Sequence, residues 1–410
     1  NLYVENLIND NNTDIKEQGF VRVLSSGAVI ENVHIKNSNS IRTTNINGTP
    51  ATGYIGILVG QSTGGRITDS SVTNSKITAN GQLNTIYAGG LVGNGSYVEI
   101  NNSYTNNVDI IITDAIETAI GGIIGNENNL GNISNCYAHG SIKSDNSNLG
   151  GIAGKTKGTI KNNFSFVNIS SSSDNIGGIV GNNSTGNNYY VEKNLAIGNI
   201  YSSSSSENIK NISGNIKVQT ENYSYEEQLI NGYKNISGGK TLTFEELTEE
   251  NTYLNYLEMQ NLNFEKIEDG VLPKLCNSTT NELLPNQEDI SLKTDNKFNI
   301  DNISIEKINN DTVNIRLEIE NLNEDQITAI TIEDMETEIT RNITSKKTTY
   351  IEITGKPQKY YDSYRLAKII YLNKDKEQEE NVEMKLNVQF YKEIYAFEDW
   401  QNIDEEAIQN

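Results

Sequence analysis

The chain has 410 residues, with 32 Lys and Arg against 54 Asp and Glu, a formal net charge of −22. Such an anionic surface argues against nucleic-acid binding, which needs cations against phosphate, and 2 Cys with 2 His cannot build a zinc site without carboxylates. No apolar run reaches the roughly 18 residues of a spanning helix, so no membrane-spanning segment is expected.

Leu2-Tyr3-Val4-Glu5-Asn6-Leu7 reads as a strand. It opens the chain where a solenoid end would carry a polar cap, so further coils are expected upstream. No charged-then-apolar leader is visible, so any export signal is expected to have been removed or to lie upstream. Gly19-Phe20-Val21-Arg22-Val23-Leu24 and Ala28-Val29-Ile30-Glu31-Asn32-Val33-His34-Ile35 fit one coil.

A glycine box then recurs. Ile55-Gly56-Ile57-Leu58-Val59-Gly60 is followed by Ala88-Gly89-Gly90-Leu91-Val92-Gly93 and Ile120-Gly121-Gly122-Ile123-Ile124-Gly125. Leu149-Gly150-Gly151-Ile152-Ala153-Gly154 and Ile176-Gly177-Gly178-Ile179-Val180-Gly181 complete the set. Steps of about 30 residues between the last glycines mark a solenoid or an array. Each box is followed by a second signature, as in Ile100-Asn101-Asn102-Ser103-Tyr104, Ile133-Ser134-Asn135-Cys136-Tyr137 and Ile160-Lys161-Asn162-Asn163-Phe164. A further apolar residue follows at Ile77, Ile110, Ile142, Ile169 and Ile200. About three short β-prone runs per repeat, with no helical periodicity, predict a right-handed parallel β-helix whose inward Ile, Leu and Val stack into a narrow core. The double glycines are expected at a corner where backbones approach or φ is positive, and stacked Asn are expected to form side-chain ladders. An array of unrelated hairpins is the competing pattern.

Past Ile200 the repeats weaken, and Asn211–Ile216 with Asn222-Tyr223 reads as a degenerate last coil. Thr243 with Glu246 forms a capping box that opens a helix with Leu247, Tyr253, Leu254 and Leu257 as its apolar face. Together with a strand at Leu272–Leu275 it is expected to close the open edge of the last coil. The predicted domains are therefore a β-helix over 1–276 with a cap from about 225, a polar linker over 277–294, and an immunoglobulin-like β-sandwich over 295–393. The sandwich rests on alternating runs such as Val313–Ile319. Residues 394–410, with Trp400, look like the start of a further, truncated module.

The boxes resemble the GLUG repeats of bacterial exported proteins, over about Asn1 to Leu275. The Asp269–Leu275 ending and the Phe397-Glu398-Asp399-Trp400 stretch resemble the borders of such repeat blocks. GLUG repeats occur in non-catalytic parts of IgA-specific zinc metalloendopeptidases and in adhesin-like surface proteins. The resemblance implies an extracellular, wall-associated β-helix. It carries no catalytic residue over, because a His-Glu-x-x-His helix is required there and only His34 and His139 are present.

These two histidines are expected at solvent-facing strand positions, too far apart to share a metal. Asp109, Asp114 and Glu117 form the local acidic group in the coils worth inspecting, with a solvated loop as the plain alternative. No cofactor is expected. Calcium stays open, since oxygen ligands abound although the EF-hand loop is missing. Cys136 occupies a repeat position held elsewhere by Ser or Asn and reads as a core residue, and its pairing with Cys276 is left open. Tyr189, Tyr190, Tyr360 and Tyr361 are the candidate ligand contacts, with core or edge packing as the alternative. The expected function is a non-catalytic scaffold and adhesion segment of a secreted, cell-surface protein, spacing other modules of its chain and touching a host or matrix glycoprotein or glycan. A substrate-positioning region of an IgA-specific metalloprotease and a carbohydrate-active β-helix are the alternatives.

Overall fold

The computed structural model describes residues 1–386, except 12–14, 44–50, 82, 184–189, 205, 207, 216–220, 232, 235–238, 293–297, 310–311, 322–325, 333–334, 346–347, 358–364 and 374–377. The fold is all-β and divides into Asn1–Leu292 and Lys293–Asn410.

The first unit is a β-helix-like stack of parallel sheets. Each coil contributes to four sheets rather than three. An entry sheet contains Ala51–Gly56, Leu83–Gly89, Ala115–Gly121, Leu149–Gly150 and Ile176–Gly177. An exit sheet contains Val59–Ser62, Val92–Gly95, Ile124–Glu127, Ala153–Thr156 and Val180–Asn183. A short sheet runs through Val29–Glu31, Arg66–Thr68, Glu99–Asn101, Asn132–Ser134, Thr159–Lys161 and Val191–Glu192. A long sheet holds Ser71–Ala79, Tyr104–Ile112, Tyr137–Ser144 and Phe164–Ser171. The glycine box is thus no strand of its own. Its first glycine ends an entry strand, the next two residues turn the corner, and its last two begin an exit strand.

Register keeps like above like. Ile30, Ile67, Ile100, Ile133, Ile160 and Val191 pair in succession. So do Ile77, Ile110, Ile142, Ile169 and Ile200, and all of these are buried in one continuous core. A one-residue slip would turn every such column to solvent, which fixes the register.

Gly56, Gly89, Gly121, Gly150 and Gly177 also stack as one column. A Cβ on Gly121 would sit 2.2 Å from the Ile124 carbonyl oxygen, and one on Gly150 2.0 Å from that of Ala153. Gly60, Gly93, Gly125, Gly154 and Gly181 lie equally tight against backbone of the coil before, and Gly90, Gly122, Gly151 and Gly178 against carbonyls of the coil after. Space, and not positive φ, is why the box needs glycine. A column of left-handed residues stands instead at the corner from short to long sheet, at Asn32, Asp69, Asn102, Asn135 and Asn162. Asn tolerates that region because its side chain can bond locally. The expected Asn ladder is present beside it. Asn163 Nδ2 donates to Asn194 Oδ1, and Asn194 Nδ2 to Asn222 Oδ1, each at 3.0 Å. Cys136 occupies this ladder and is buried, and both it and Cys276 are free thiols.

Residues 243–257 pack beside the last strands of the long sheet, with Tyr256 stacked on Tyr223 and the Phe244 N–H donating to Glu226. The capping box at Thr243 is present, and the helix is broken into Phe244–Leu247 and a second helical segment over Thr252–Tyr256; Leu247, Tyr253 and Leu257 are buried as expected, but Leu254 is exposed. The segment then runs back along the outer face of the long sheet as a strap. Lys193 bonds Glu258, Asn135 Oδ1 accepts from Gln260 N–H, and Asn102 donates to the Cys276 carbonyl. Asn277 donates to Asn32 at 2.7 Å. Under the strap, Tyr104, Tyr137 and Phe164 stack with centroids 4.8 and 4.9 Å apart, packed with Tyr253, Leu275, Leu284 and Ile290. The expected linker is therefore folded structure as far as Leu292, because its Leu284, Ile290 and Leu292 have an aromatic column to cover.

Among the described residues the second unit has seven antiparallel strands. One sheet has the order Phe298–Asn309, Thr312–Asn321, Thr348–Pro357, Met335–Ser345. The other has the order Gln326–Ile332, Arg365–Asn373, Gln378–Leu386. The expected module at 394–410 lies outside the described residues.

Candidate functional site

Outward positions of the short sheet form two columns that flank each buried Ile. Arg66, Glu99 and Asn132 pair in one, and Glu31, Thr68, Asn101 and Ser134 in the other. All of these but Ser134, with Ile100 and with Ser278 of the strap, line a polar groove of about 410 Å³, within the usual size of a small-molecule site. The strap edge is pinned by Asp69, whose carboxylate accepts from Ser278 N–H at 2.9 Å and from its hydroxyl at 2.6 Å. Glu31, Arg66 and Glu99 are exposed, and none forms an ion pair within 4 Å among the described residues. Asn132 Oδ1 is shielded from solvent with no hydrogen-bond partner, a condition that a buried acceptor rarely keeps.

The turns leading into this sheet carry two unusual residues. Tyr97 and Leu130 have φ of +55° and +37°, a region that bulky side chains avoid. Both are more than half exposed, at 56% and 59%. They stand two residues before Glu99 and Asn132, where the preceding coil has Gly64 with φ +109°. Beneath them lies Glu127, buried, with Oε1 accepting the Tyr97 and Asn129 N–H groups at 3.1 and 3.0 Å. Burial pushes the Glu127 carboxyl up to about 7, although the N–H groups of Asn129, Tyr97, Val98 and Gly131 pull the other way.

The glycines singled out in the sequence are all architectural. Tyr190 is exposed and directly precedes the short-sheet strand Val191–Glu192, while Tyr189, Tyr360 and Tyr361 lie outside the described residues. Asp109, Asp114 and Glu117 do not converge. Asp109 accepts from Ser141 on the long sheet, whereas Glu117, on the entry sheet, bonds Lys155 at 2.8 Å and Tyr87. Among the described residues no three His, Cys, Asp or Glu side chains converge as a metal-binding group. Neither histidine faces solvent as expected. His34 is buried, bonded to Ser71 at 2.9 Å, and burial lowers its pKa to about 4. His139 is half-buried against Phe166 and Asn106, and its pKa is lowered, also by burial.

The groove residues were missed by sequence reasoning, although a signal exists. Aligning the copies on the inward Ile places Gly64, Tyr97, Leu130 and Lys157 in one column, and Arg66, Glu99 and Asn132 in another.

Residues 117–143 match the GLUG motif, so the resemblance read from the boxes holds over that span. It covers the entry, exit, short and long strands of one coil. No curated protein matches the chain. A crystal structure of a proposed immunoglobulin A1 protease from Bacteroides ovatus is similar to it, with 19% identity and a TM-score of 0.40, over 63% of this chain and 71% of that one.

Proposed function

We propose that this chain is a non-catalytic scaffold and adhesion segment of a secreted, cell-surface protein. The observation that carries this reading is the strap. Its bonds to Asn135, Asn102, Asp69 and Asn32 tie at least four successive coils together. Hydrogen-bonded ladders on every face and a side brace make a stiff body, suited to holding other modules at a distance. With about 4.8 Å per coil, seven coils span some 30–35 Å, and parallel crossovers favour right-handed winding. The second unit fits an immunoglobulin-like sandwich. Lettered in chain order, its two sheets run A-B-E-D and C-F-G, the strand order of constant-type immunoglobulin domains. Among the described residues no helix is long and apolar enough to cross a membrane.

The groove bears on the carbohydrate-active alternative. Glu31 and Glu99 lie two coils and two residues apart in register, with their backbones about 12 Å apart. Both side chains are exposed, whereas the general acid of a glycosidase is set to its task by burial, and this supports a groove that holds a ligand without cleaving it.

The test is adhesion. Beads bearing the full chain should hold to surfaces coated with mucin, matrix glycoprotein or immunoglobulin A, and should release no sugar or peptide from them. Failure to hold to any coating would reject the adhesive role, and release of reducing sugar would replace it with the enzymatic one.

A further inference from the structure

We propose that the short-sheet groove binds an uncharged oligosaccharide, with Tyr97 and Leu130 as its apolar rim. The proposal rests on the adhesive reading above and names the ligand class for it.

The rim is the first ground. The turn three residues before the inward Ile adopts a left-handed conformation, and Gly64 shows the residue that the geometry favours. Tyr97 and Leu130 hold the same region with a full side chain, on successive coils. Such strain persists where surrounding structure enforces it, and it collects at ligand sites. Here Glu127 enforces it, by accepting the N–H of Tyr97 and that of Asn129, the residue before Leu130. Neither side chain offsets the strain by packing inside this chain, since both project more than half their surface into solvent. They form a ready apolar edge for something outside it.

The floor is the second ground. Carboxylates at Glu31 and Glu99 accept hydrogen bonds, the Arg66 guanidinium donates, and the Thr68 hydroxyl and Asn132 amide do both. Arg66 and Glu99 are neighbours in register and yet unpaired among the described residues, so both remain available to a ligand. A sugar matches this combination. Its hydroxyls both donate and accept, and its ring presents an apolar face that an aromatic edge can cover. Two carboxylates against one guanidinium, on a chain of net charge −22, disfavour sialylated or sulfated sugars. A basic peptide would meet Arg66 in the middle of its path.

The experiment screens the full chain on an array of neutral gluco-, galacto-, manno- and N-acetylglucosamine oligosaccharides printed beside sialylated and sulfated forms. Neutral hits are expected, weaker on the sialylated form of the same core. Affinity for a hit should fall about tenfold in Tyr97→Gly and in Asn132→Ala. Tyr97→Gly restores the residue the turn favours, so its melting temperature should match or exceed that of the parent, which separates lost contact from lost fold. Absence of neutral hits, hits confined to anionic sugars, or affinity indifferent to both substitutions would overturn the proposal. Bead adhesion that survives enzymatic removal of glycans from the coating would also overturn it, leaving the adhesive reading intact and pointing to a protein partner. Array binding without bead adhesion would do the reverse.

Discussion

Glu127 and Tyr97 belong to successive coils and are joined by one hydrogen bond, from the Tyr97 N–H to Glu127 Oε1 at 3.1 Å. In the coils on either side this corner is capped locally, by Ser62 Oγ on Gly65 N–H and by Thr156 Oγ1 on Gly158 N–H. Gly95 has no side chain to do so, and the carboxylate of the next coil caps both turns.

That arrangement has a pH signature. Glu127 holds its proton more tightly in the fold than in the unfolded chain, up to about 7 from 4.5. Its contribution is therefore most favourable below pH 4.5 and declines as pH rises towards 7, by on the order of 3 kcal/mol. Thermal melts of Glu127→Gln should lose this decline, so that the variant gains on the parent as pH goes from 5 to 8. A variant that tracks the parent at every pH would show that Glu127 titrates normally.

His34 should show the opposite slope. Its folded pKa is about 4 against 6.5 unfolded, so its contribution is complete above pH 6.5 and is lost as pH falls towards 4, again by on the order of 3 kcal/mol. The two slopes nearly cancel in the parent between pH 4.5 and 6.5. Relative to the parent, His34→Gln should lose stability steadily as pH rises over that interval, because the difference removes only the His34 contribution and leaves those of Glu127 and His139 in both. A variant whose difference from the parent does not change with pH would break the account.

Much of this was legible in the sequence because a solenoid repeats its reasons. The inward Ile, the box and the Asn ladder each recur, and a column that recurs can be read without knowing its neighbours. The division of Ile120–Gly125 between two sheets was not legible, since six residues of one motif look like one strand. The role of glycine was legible only as a pair of causes. Close approach and positive φ both select glycine, and only the fold shows Gly121 facing the Ile124 carbonyl while Asn135 takes the left-handed turn. The groove escaped because its residues are the variable ones. Arg66, Glu99 and Asn132 share a column but no chemistry. The strap escaped because Leu284, Ile290 and Leu292 are apolar residues scattered through a polar stretch, and their partners lie far back in the chain at Tyr104 and Tyr137.

The two kinds of corner can be told apart by substitution. Gly121→Ala places a methyl 2.2 Å from a backbone oxygen and should cost about 3 kcal/mol, since neither coil can yield without breaking register. Asn135→Gly sits at φ +52° and gives up one exposed bond to Gln260 N–H, while relieving the turn. It should change stability by no more than about 0.5 kcal/mol. Calorimetry on the full chain reads both, and equal losses at the two sites would contradict the distinction between space and φ.

Hydrogen exchange distinguishes a strap from a linker. Leu275 N–H donates to Gln287 Oε1 at 2.8 Å, Leu284 N–H to the Leu275 carbonyl at 3.0 Å, and Leu292 N–H to the Gly270 carbonyl at 2.7 Å. These amides lie over the buried Tyr104, Tyr137 and Phe164 column, so they can exchange only when the strap lifts and bares those rings. Baring three stacked aromatics is costly, because large side chains dominate burial energetics. The amides of 275, 284 and 292 should therefore exchange far more slowly than an unstructured chain does, and Tyr137→Ala should speed all three together while leaving the core amides Ile67 and Ile100 slow. Exchange of 277–292 at the unstructured rate in the parent would return this stretch to the linker that its composition suggests.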